Sequence, residues 1–218
     1  MKYRTLGRTG LKVSVVGLGT LQLGGEWGKT FGQSEVDAIL DKAAESGINL
    51  IDTAECYGDH LAERLVGDYL SRHDRDRWII ATKFGHAFNG FMDRTDRFGA
   101  EEVKAQLIAS LRALRTDRID IYQFHSGTDE AFLDDGLRQA LDEARRAGMV
   151  RNLGVSIRGA GSEVQAREAF GRGYGVLQVV YNRLDLRAES EIFPHARRYG
   201  LGVLARVPLA SGLLTGKY

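Results

Sequence analysis

Four residues whose types could share one reaction stand at comparable points of the chain. Asp52 closes the run Asn49-Leu-Ile-Asp52, Tyr57 follows a few residues on, Lys83 closes Trp78-Ile-Ile-Ala-Thr-Lys83, and His125 closes Ile119-Asp-Ile-Tyr-Gln-Phe-His125. Singly, each has an ordinary packing role: a turn or capping aspartate, a packed aromatic, a lysine reaching for solvent, a satisfied core imidazole. Jointly those readings fail, because apolar runs that each end in an ionisable group are costly to bury unless the groups meet one another. A phenol beside an ammonium, a carboxylate and an imidazole is equipment for proton delivery. The phenol, at pKa ≈ 10, is a reluctant partner near neutral pH, and an ammonium beside it favours the phenolate. At ~4 Å and an effective dielectric of ~20 the attraction is about 4 kcal/mol, roughly 3 pKa units before desolvation is set against it. The sequence therefore leads us to expect Lys83 to lower the Tyr57 pKa and Asp52 to offset the cost of burying Lys83.

The elements that would position these groups follow from hydrophobic periodicity. Buried strands are expected at Val15–Thr20, Asn49–Ala54, Trp78–Phe84, Ile119–His125, Val150–Ile157, Val176–Asn182 and Leu201–Pro208, all short and rich in Val, Ile or Leu. Amphipathic helices are expected at Ser34–Ser46, Leu61–Arg72, Ala100–Arg115, Leu133–Ala147, Gly161–Arg172 and Glu189–Arg198. Ser34 is placed to cap the first of them, and Gly47 and Gly148 stand where C-terminal cap glycines belong. Alternation of buried strand and helix implies parallel strands joined by right-handed crossovers, hence the α/β class. An open doubly wound sheet and a closed barrel both satisfy that pattern. Tyr3–Leu6 and Lys12–Val15 flank Gly7-Arg8-Thr9-Gly10 and suggest a β-hairpin that could plug one end of a barrel. Polar residues at the strand C-termini lie where parallel α/β folds place their sites.

Composition narrows the function. The 218 residues carry 30 Lys+Arg against 29 Asp+Glu, a net charge of +1, with no basic cluster interleaved with aromatics, so nucleic-acid binding is disfavoured. No apolar run approaches the ~18 residues of a membrane helix, and Met-Lys-Tyr-Arg-Thr is not a signal peptide, so a cytoplasmic location off the membrane is expected. Cys56 is the sole cysteine, consistent with a reducing compartment. With no linker and no repeat, residues 1–218 are expected to form a single domain. Gln22 replaces the third glycine of a dinucleotide fingerprint that would begin at Gly17-Leu-Gly19, which argues against a Rossmann site. There is no P-loop and no serine elbow. The five histidines, His60, His73, His86, His125 and His195, show no metal-ligand spacing, and no metal is expected.

Read together, Gly17-Leu-Gly19-Thr20, Asp52-Thr-Ala-Glu-Cys-Tyr57-Gly58, Ala81-Thr-Lys83, Gln123-Phe-His125, Gly154-Val-Ser156, Gln178-Val-Val-Tyr181-Asn182 and Pro208-Leu-Ala-Ser211-Gly-Leu-Leu-Thr-Gly-Lys217-Tyr218 resemble the aldo-keto reductases along the whole chain. The tail most resembles the branch holding bacterial aldose and pyridoxal reductases and potassium-channel β subunits. The resemblance implies a (β/α)8 TIM barrel and NAD(P)H-dependent reduction of a small aldehyde or ketone, or the reverse alcohol oxidation. Its catalytic tetrad falls on Asp52, Tyr57, Lys83 and His125. Tyr57 would protonate the alkoxide that hydride addition creates, and a neutral His125 would orient the carbonyl oxygen. NADP(H) is expected ahead of NAD(H). Its carboxamide would meet Ser156 and Gln178, its ribose would border Gly19 and Thr20, and Asp52 would also bind the cofactor. Its pyrophosphate would follow Arg206, Val207, Pro208, Leu209 and Ser211 with Lys217.

Two positions depart from the family pattern. Ile157 stands where asparagine or arginine is commoner, and Arg206 where most relatives stack an aromatic ring on the nicotinamide. A complete barrel of this kind runs to about 250 residues. About seven of its eight strands are recognisable here, so a longer polypeptide is expected, with strand eight and the adenosine-binding part beyond Tyr218 or supplied by a neighbouring chain. A nicotinamide-binding regulatory subunit remains an alternative to the reductase. So does a Schiff-base lyase built on Lys83, although Asp52 would keep that lysine protonated.

Overall fold

The computed structural model describes residues 1–158 and 162–217. Its strands are β1 (Tyr3–Thr5), β2 (Lys12–Ser14), β3 (Leu18–Gly19), β4 (Leu50–Asp52), β5 (Ile79–Phe84), β6 (His86–Gly90), β7 (Asp93–Asp96), β8 (Ile119–His125), β9 (Val150–Ser156), β10 (Tyr174–Val180) and β11 (Gly202–Arg206). The helices are α1 (Gln33–Glu45), α2 (Leu61–Leu70), α3 (Ala100–Ala113), α4 (Asp129–Leu133), α5 (Asp135–Arg146), α6 (Glu163–Glu168), α7 (Ala188–Glu191) and α8 (Phe193–Tyr199). Seven strands form one parallel, curled sheet in the order β11-β10-β9-β8-β5-β4-β3. Helices pack on its outer face, the arrangement of a (β/α)8 barrel. Among the described residues no helix is long and apolar enough to cross a membrane.

Each strand has two faces because successive side chains point to opposite sides. Ile80 and Phe84 of β5, Tyr122 and Phe124 of β8, and Leu177 and Val179 of β10 belong to the large core shared with the helices. The intervening residues turn inward. Leu50, Ala81, Ile121 and Val176 form a second, smaller core together with Leu6 and Val13. Those last two residues come from the antiparallel β1–β2 hairpin, which pairs Tyr3 with Ser14 and Thr5 with Lys12. The hairpin thus fills the end of the barrel where the strands begin. Its turn lies so close to β11 that a Cβ on Gly7 would sit 2.2 Å from the Gly202 nitrogen, and Gly7 has a φ of +50°. Only glycine fits there without displacing backbone. Burying a side chain such as Leu6 contributes about 1.5–3 kcal/mol.

The observed elements differ from expectation in places. The first long helix is capped at Gly32, whose N–H donates to Glu35 Oε2 at 3.1 Å, and Ser34 lies inside the first turn. Glu35 reaches back to the chain entry more effectively than the short Ser34 side chain could. The helix expected over Leu133–Ala147 is α5, which starts after Asp134, an extended residue that accepts from Leu137 N at 2.6 Å, and a further short helix, α4, precedes it. The helix expected over Glu189–Arg198 breaks at Ile192, ahead of Pro194, since proline is tolerated in a first turn but not inside a helix. The strand expected over Val15–Thr20 shrinks to Leu18–Gly19. The β6–β7 hairpin is unanticipated: His86-Ala-Phe-Asn-Gly and Asp-Arg-Thr-Asp lack apolar alternation because they pair largely in the open. Gly161 and Tyr218 lie outside the described residues.

Candidate active site

The inward face changes character two residues further along each strand. Asp52, Lys83, Gln123 and Gln178 continue the faces of Leu50, Ala81, Ile121 and Val176. Parallel register sets Asp52 beside Ala81, Lys83 beside Gln123, and Gln178 beside Ser156. Lys83, 1% exposed, sits at the centre. Its ammonium donates to Asp52 Oδ2 at 3.0 Å, to the Thr53 carbonyl at 2.6 Å and to Tyr57 Oη at 3.0 Å. Those three bonds use every N–H of the ammonium. The other Asp52 oxygen accepts from Gln178 Nε2 at 2.8 Å and Gln123 Nε2 at 3.2 Å. Ser156 Oγ donates to Gln178 Oε1 at 3.1 Å. The charged pair is therefore held by four further groups, the Thr53 carbonyl, Tyr57, Gln123 and Gln178, which is how a buried ion pair becomes tolerable.

Tyr57 is delivered by the loop after β4. That loop abuts the turn after β3 so tightly that a Cβ on Gly58, with φ +64°, would lie 2.2 Å from the Gly24 carbonyl oxygen. Thr20, one residue beyond β3, ties the two strand ends by donating from N and Oγ1 to the Asp52 carbonyl at 2.9 and 3.1 Å. The Tyr57 hydroxyl accepts from Lys83, which leaves its own O–H directed elsewhere. The His125 ring stands edge-on to Tyr57, with centroids 6.3 Å apart.

Electrostatics assign different protonation states to these groups. Burial dominates at Tyr57 and raises the phenol above its usual value, although the Lys83 charge pulls it down. This reverses the expectation of a lowered phenol pKa, because taking the phenolate out of water costs more than one neighbouring ammonium, itself shared with Asp52, returns. Burial opposes the charge on Lys83, but Asp52 and Tyr57 outweigh it and hold the ammonium above the ordinary lysine value. His125 is pushed well below the usual histidine value, first by burial and then by the charges of Lys83, His86 and Arg206. Near neutral pH the set is an ammonium, a protonated phenol and a neutral imidazole.

The remaining expected residues divide into two groups. Ser156, Gln178, Thr20 and Gly19 border the Asp52–Lys83 centre. Arg206 does not hydrogen-bond to it: its guanidinium donates to the Ile157 carbonyl at 3.0 Å, so the two positions that depart from the family pattern touch each other. Val207, Ala210 and Ser211 have left-handed φ values of 56°, 48° and 54°. Pro208, Leu209, Ser211 and Lys217 are exposed along this segment. Left-handed backbone of this kind can gather N–H groups towards an oxyanion. Gln123 Oε1 and Arg206 Nε are buried without partners, and Ser156 with Gln178 offers both donors and acceptors. A group carrying a carboxamide and a diphosphate, such as a nicotinamide dinucleotide, matches that donor set.

Several contributors escape a reading of the chain alone. Gln123 was legible only as part of the Gln123-Phe-His125 motif, yet it lies two residues before His125 on the same strand face. The Thr53 carbonyl carries no side-chain signal. The β6–β7 hairpin is strapped to the loop after β3 by Glu26, which accepts from Met92 N at 2.8 Å and pairs with Arg94. Glu55, Cys56, His86 and His125, scattered in sequence, place ligand-type atoms within 4.8 Å of one another.

Comparison with known proteins agrees with this architecture. Residues 15–218 match the aldo/keto reductase family. The chain is 34% identical over 224 residues to an uncharacterised oxidoreductase of Bacillus subtilis, YqkF, covering 100% of this chain and 68% of that protein. It is 33% identical over 230 residues to an NADH-specific methylglyoxal reductase of Escherichia coli, covering 99% of this chain and 70% of that one. Among solved structures, a holo-form aldo-keto reductase from Bacillus halodurans superposes with a TM-score of 0.89 at 33% identity, over 100% of this chain and 70% of that one.

Proposed function

Because the chain belongs to the aldo/keto reductase family, we propose that it reduces a small aldehyde or ketone to the alcohol with a nicotinamide dinucleotide, Tyr57 supplying the proton. The observation that carries this reading is the Lys83 ammonium donating to Tyr57 Oη at 3.0 Å. A phenol that accepts from a cation on one side is left to donate its own proton on the other. A nicotinamide held by Ser156 and Gln178 would supply hydride to the carbonyl carbon. As negative charge develops on the carbonyl oxygen, the Tyr57 O–H transfers its proton there, and the phenolate left behind is held by Lys83 until water reprotonates it. Asp52 keeps Lys83 charged and fixed by its 3.0 Å bond. A neutral His125 donates a hydrogen bond to the same carbonyl oxygen and sets its approach.

Ser156 and Gln178 would hold the carboxamide, with Gly19 and Thr20 by the ribose and Asp52 also against the cofactor. The left-handed segment Val207–Ser211 would follow the diphosphate, with Arg206 and Lys217 supplying positive charge. NADP(H) is the cofactor we favour over NAD(H) on the family resemblance; the NADH-specific relative from Escherichia coli makes both necessary in the assay. The Schiff-base alternative loses support because all three Lys83 N–H groups are engaged and its pKa is raised. No observation favours a purely regulatory role. The test is consumption of NADPH or NADH with a panel of aldehydes and ketones: carbonyl-dependent oxidation of either cofactor is expected. Cofactor binding without turnover across the panel would overturn the reductase reading.

A further inference from the structure

We propose that Glu55, Cys56, His86 and His125 form a site for a thiophilic divalent cation of the zinc class at the mouth of the barrel. Cation binding stands apart from the reductase reading. The residues come from three separate segments: the loop after β4, the start of β6 and the end of β8. One ligand-type atom from each lies within 4.8 Å of all the others. Cys56 Sγ is 3.7 Å from His125 Nδ1, and His86 Nδ1 is 3.6 Å from Glu55 Oε1. Zinc bond lengths of about 2.3 Å to sulfur and about 2.0–2.1 Å to nitrogen or oxygen give tetrahedral edges of about 3.6 Å for S···N and about 3.3 Å for N···O. Both measured separations are within a few tenths of an ångström of those edges.

A second observation points to a missing partner. Glu55 Oε2 and His86 Nδ1 are both buried and neither has a hydrogen-bond partner, while Glu55 itself is only 2% exposed. Buried polar atoms in native proteins are nearly always satisfied. Glu55, Cys56 and His86 have no part in the proton transfer assigned to Tyr57. Charge also favours a divalent ion, because a thiolate and a carboxylate together neutralise it and leave two neutral imidazoles to complete the shell. On binding, the Cys56 S–H bond breaks, its proton leaves to solvent and the sulfur–metal bond forms, with no change of oxidation state. His125 binds through Nδ1, the nitrogen that faces Cys56, and keeps its Nε2 outside the shell.

The experiment uses Co2+ as the probe on protein first freed of metal with a chelator, with Zn2+ as competitor. One equivalent should produce a thiolate-to-cobalt charge-transfer band, and Zn2+ should remove it. Cys56→Ser should abolish the band, and His86→Gln should weaken binding at least about 10-fold. X-ray absorption of the zinc-loaded wild type gives a readout that needs no variant: one sulfur at about 2.3 Å with the remaining ligands nitrogen or oxygen. Absence of the band at one equivalent, its survival in folded Cys56→Ser, or a zinc shell without sulfur would overturn the site. Cobalt bound through Cys56 in protein that oxidises no NAD(P)H would leave the site standing while the reductase reading fell.

Discussion

The two ends of the barrel interior are built on the same strands and solve opposite problems. At the end where the strands begin, Leu50, Ala81, Ile121 and Val176 meet Leu6 and Val13 in an apolar plug. One inward position later, Asp52, Lys83, Gln123 and Gln178 meet in a network of ions and amides. The first end stabilises the barrel by hiding apolar surface, and any group it loses leaves a cavity. The second end holds charge out of water by mutual hydrogen bonding and leaves several polar atoms unanswered, which stabilises little and prepares a reaction. A pleat of two residues is all that separates stability from chemistry.

That division can be broken by substitution at either end. Tyr57→Phe should lower turnover about 10²-fold or more while cofactor affinity and thermal stability hardly change. Steady-state kinetics alongside a cofactor titration check it, and near-normal turnover would remove Tyr57 from the proton transfer. Ile121→Ala, at the other end, should cost about 2–5 kcal/mol in urea unfolding while KM stays near the wild-type value. An equal loss of activity in the folded variant would show that the two ends are not separable.

Lys83→Met sharpens the comparison within the polar end. Removing the ammonium takes away the main influence that lowers the Tyr57 pKa, so the rise of alcohol oxidation with pH should move to higher pH, by about one unit or more. An unmoved limb would make Lys83 a structural support only. The smallest effect expected is in stability against pH. His125 has its folded pKa depressed well below the histidine value, so the unfolded chain takes up the proton first as pH falls. Its contribution is present above about pH 6.5 and is lost on further acidification, with a slope of at most about 1.4 kcal/mol per pH unit. Denaturation of wild type and His125→Gln between neutral and mildly acid pH should show a flatter profile for the variant.

How much of this was legible in the chain depended on where a residue stands in its strand. Asp52, Lys83 and His125 announced themselves because an ionisable group at the end of an apolar run needs a partner. The α/β class followed from alternation of Val- and Ile-rich runs with amphipathic helices, whereas the barrel came from the resemblance of the motifs to the aldo-keto reductases. Gln123 did not stand out as a clamp on Asp52, because a strand buried on both faces hides its period of two. The β6–β7 hairpin escaped because its pairing has no apolar face to advertise it. The elevated Tyr57 pKa was invisible for a different reason: the sign of that shift is a balance between burial and the Lys83 charge, and burial is known only once the loops are in place. Likewise, His86 and His125 are 39 positions apart in sequence, yet their rings stand 4.8 Å apart in the fold.

The most direct test of the polar end as a site of carbonyl reduction is to follow the hydride itself. The protein is supplied with NADPH or NADH carrying deuterium at the reactive nicotinamide carbon, together with an aldehyde or ketone it consumes, and the alcohol is analysed by mass spectrometry and NMR. One deuterium on the former carbonyl carbon, at a rate that falls about 10²-fold or more in Tyr57→Phe, is the predicted result. An alcohol without the label, or labelled equally fast by the phenylalanine variant, would contradict it.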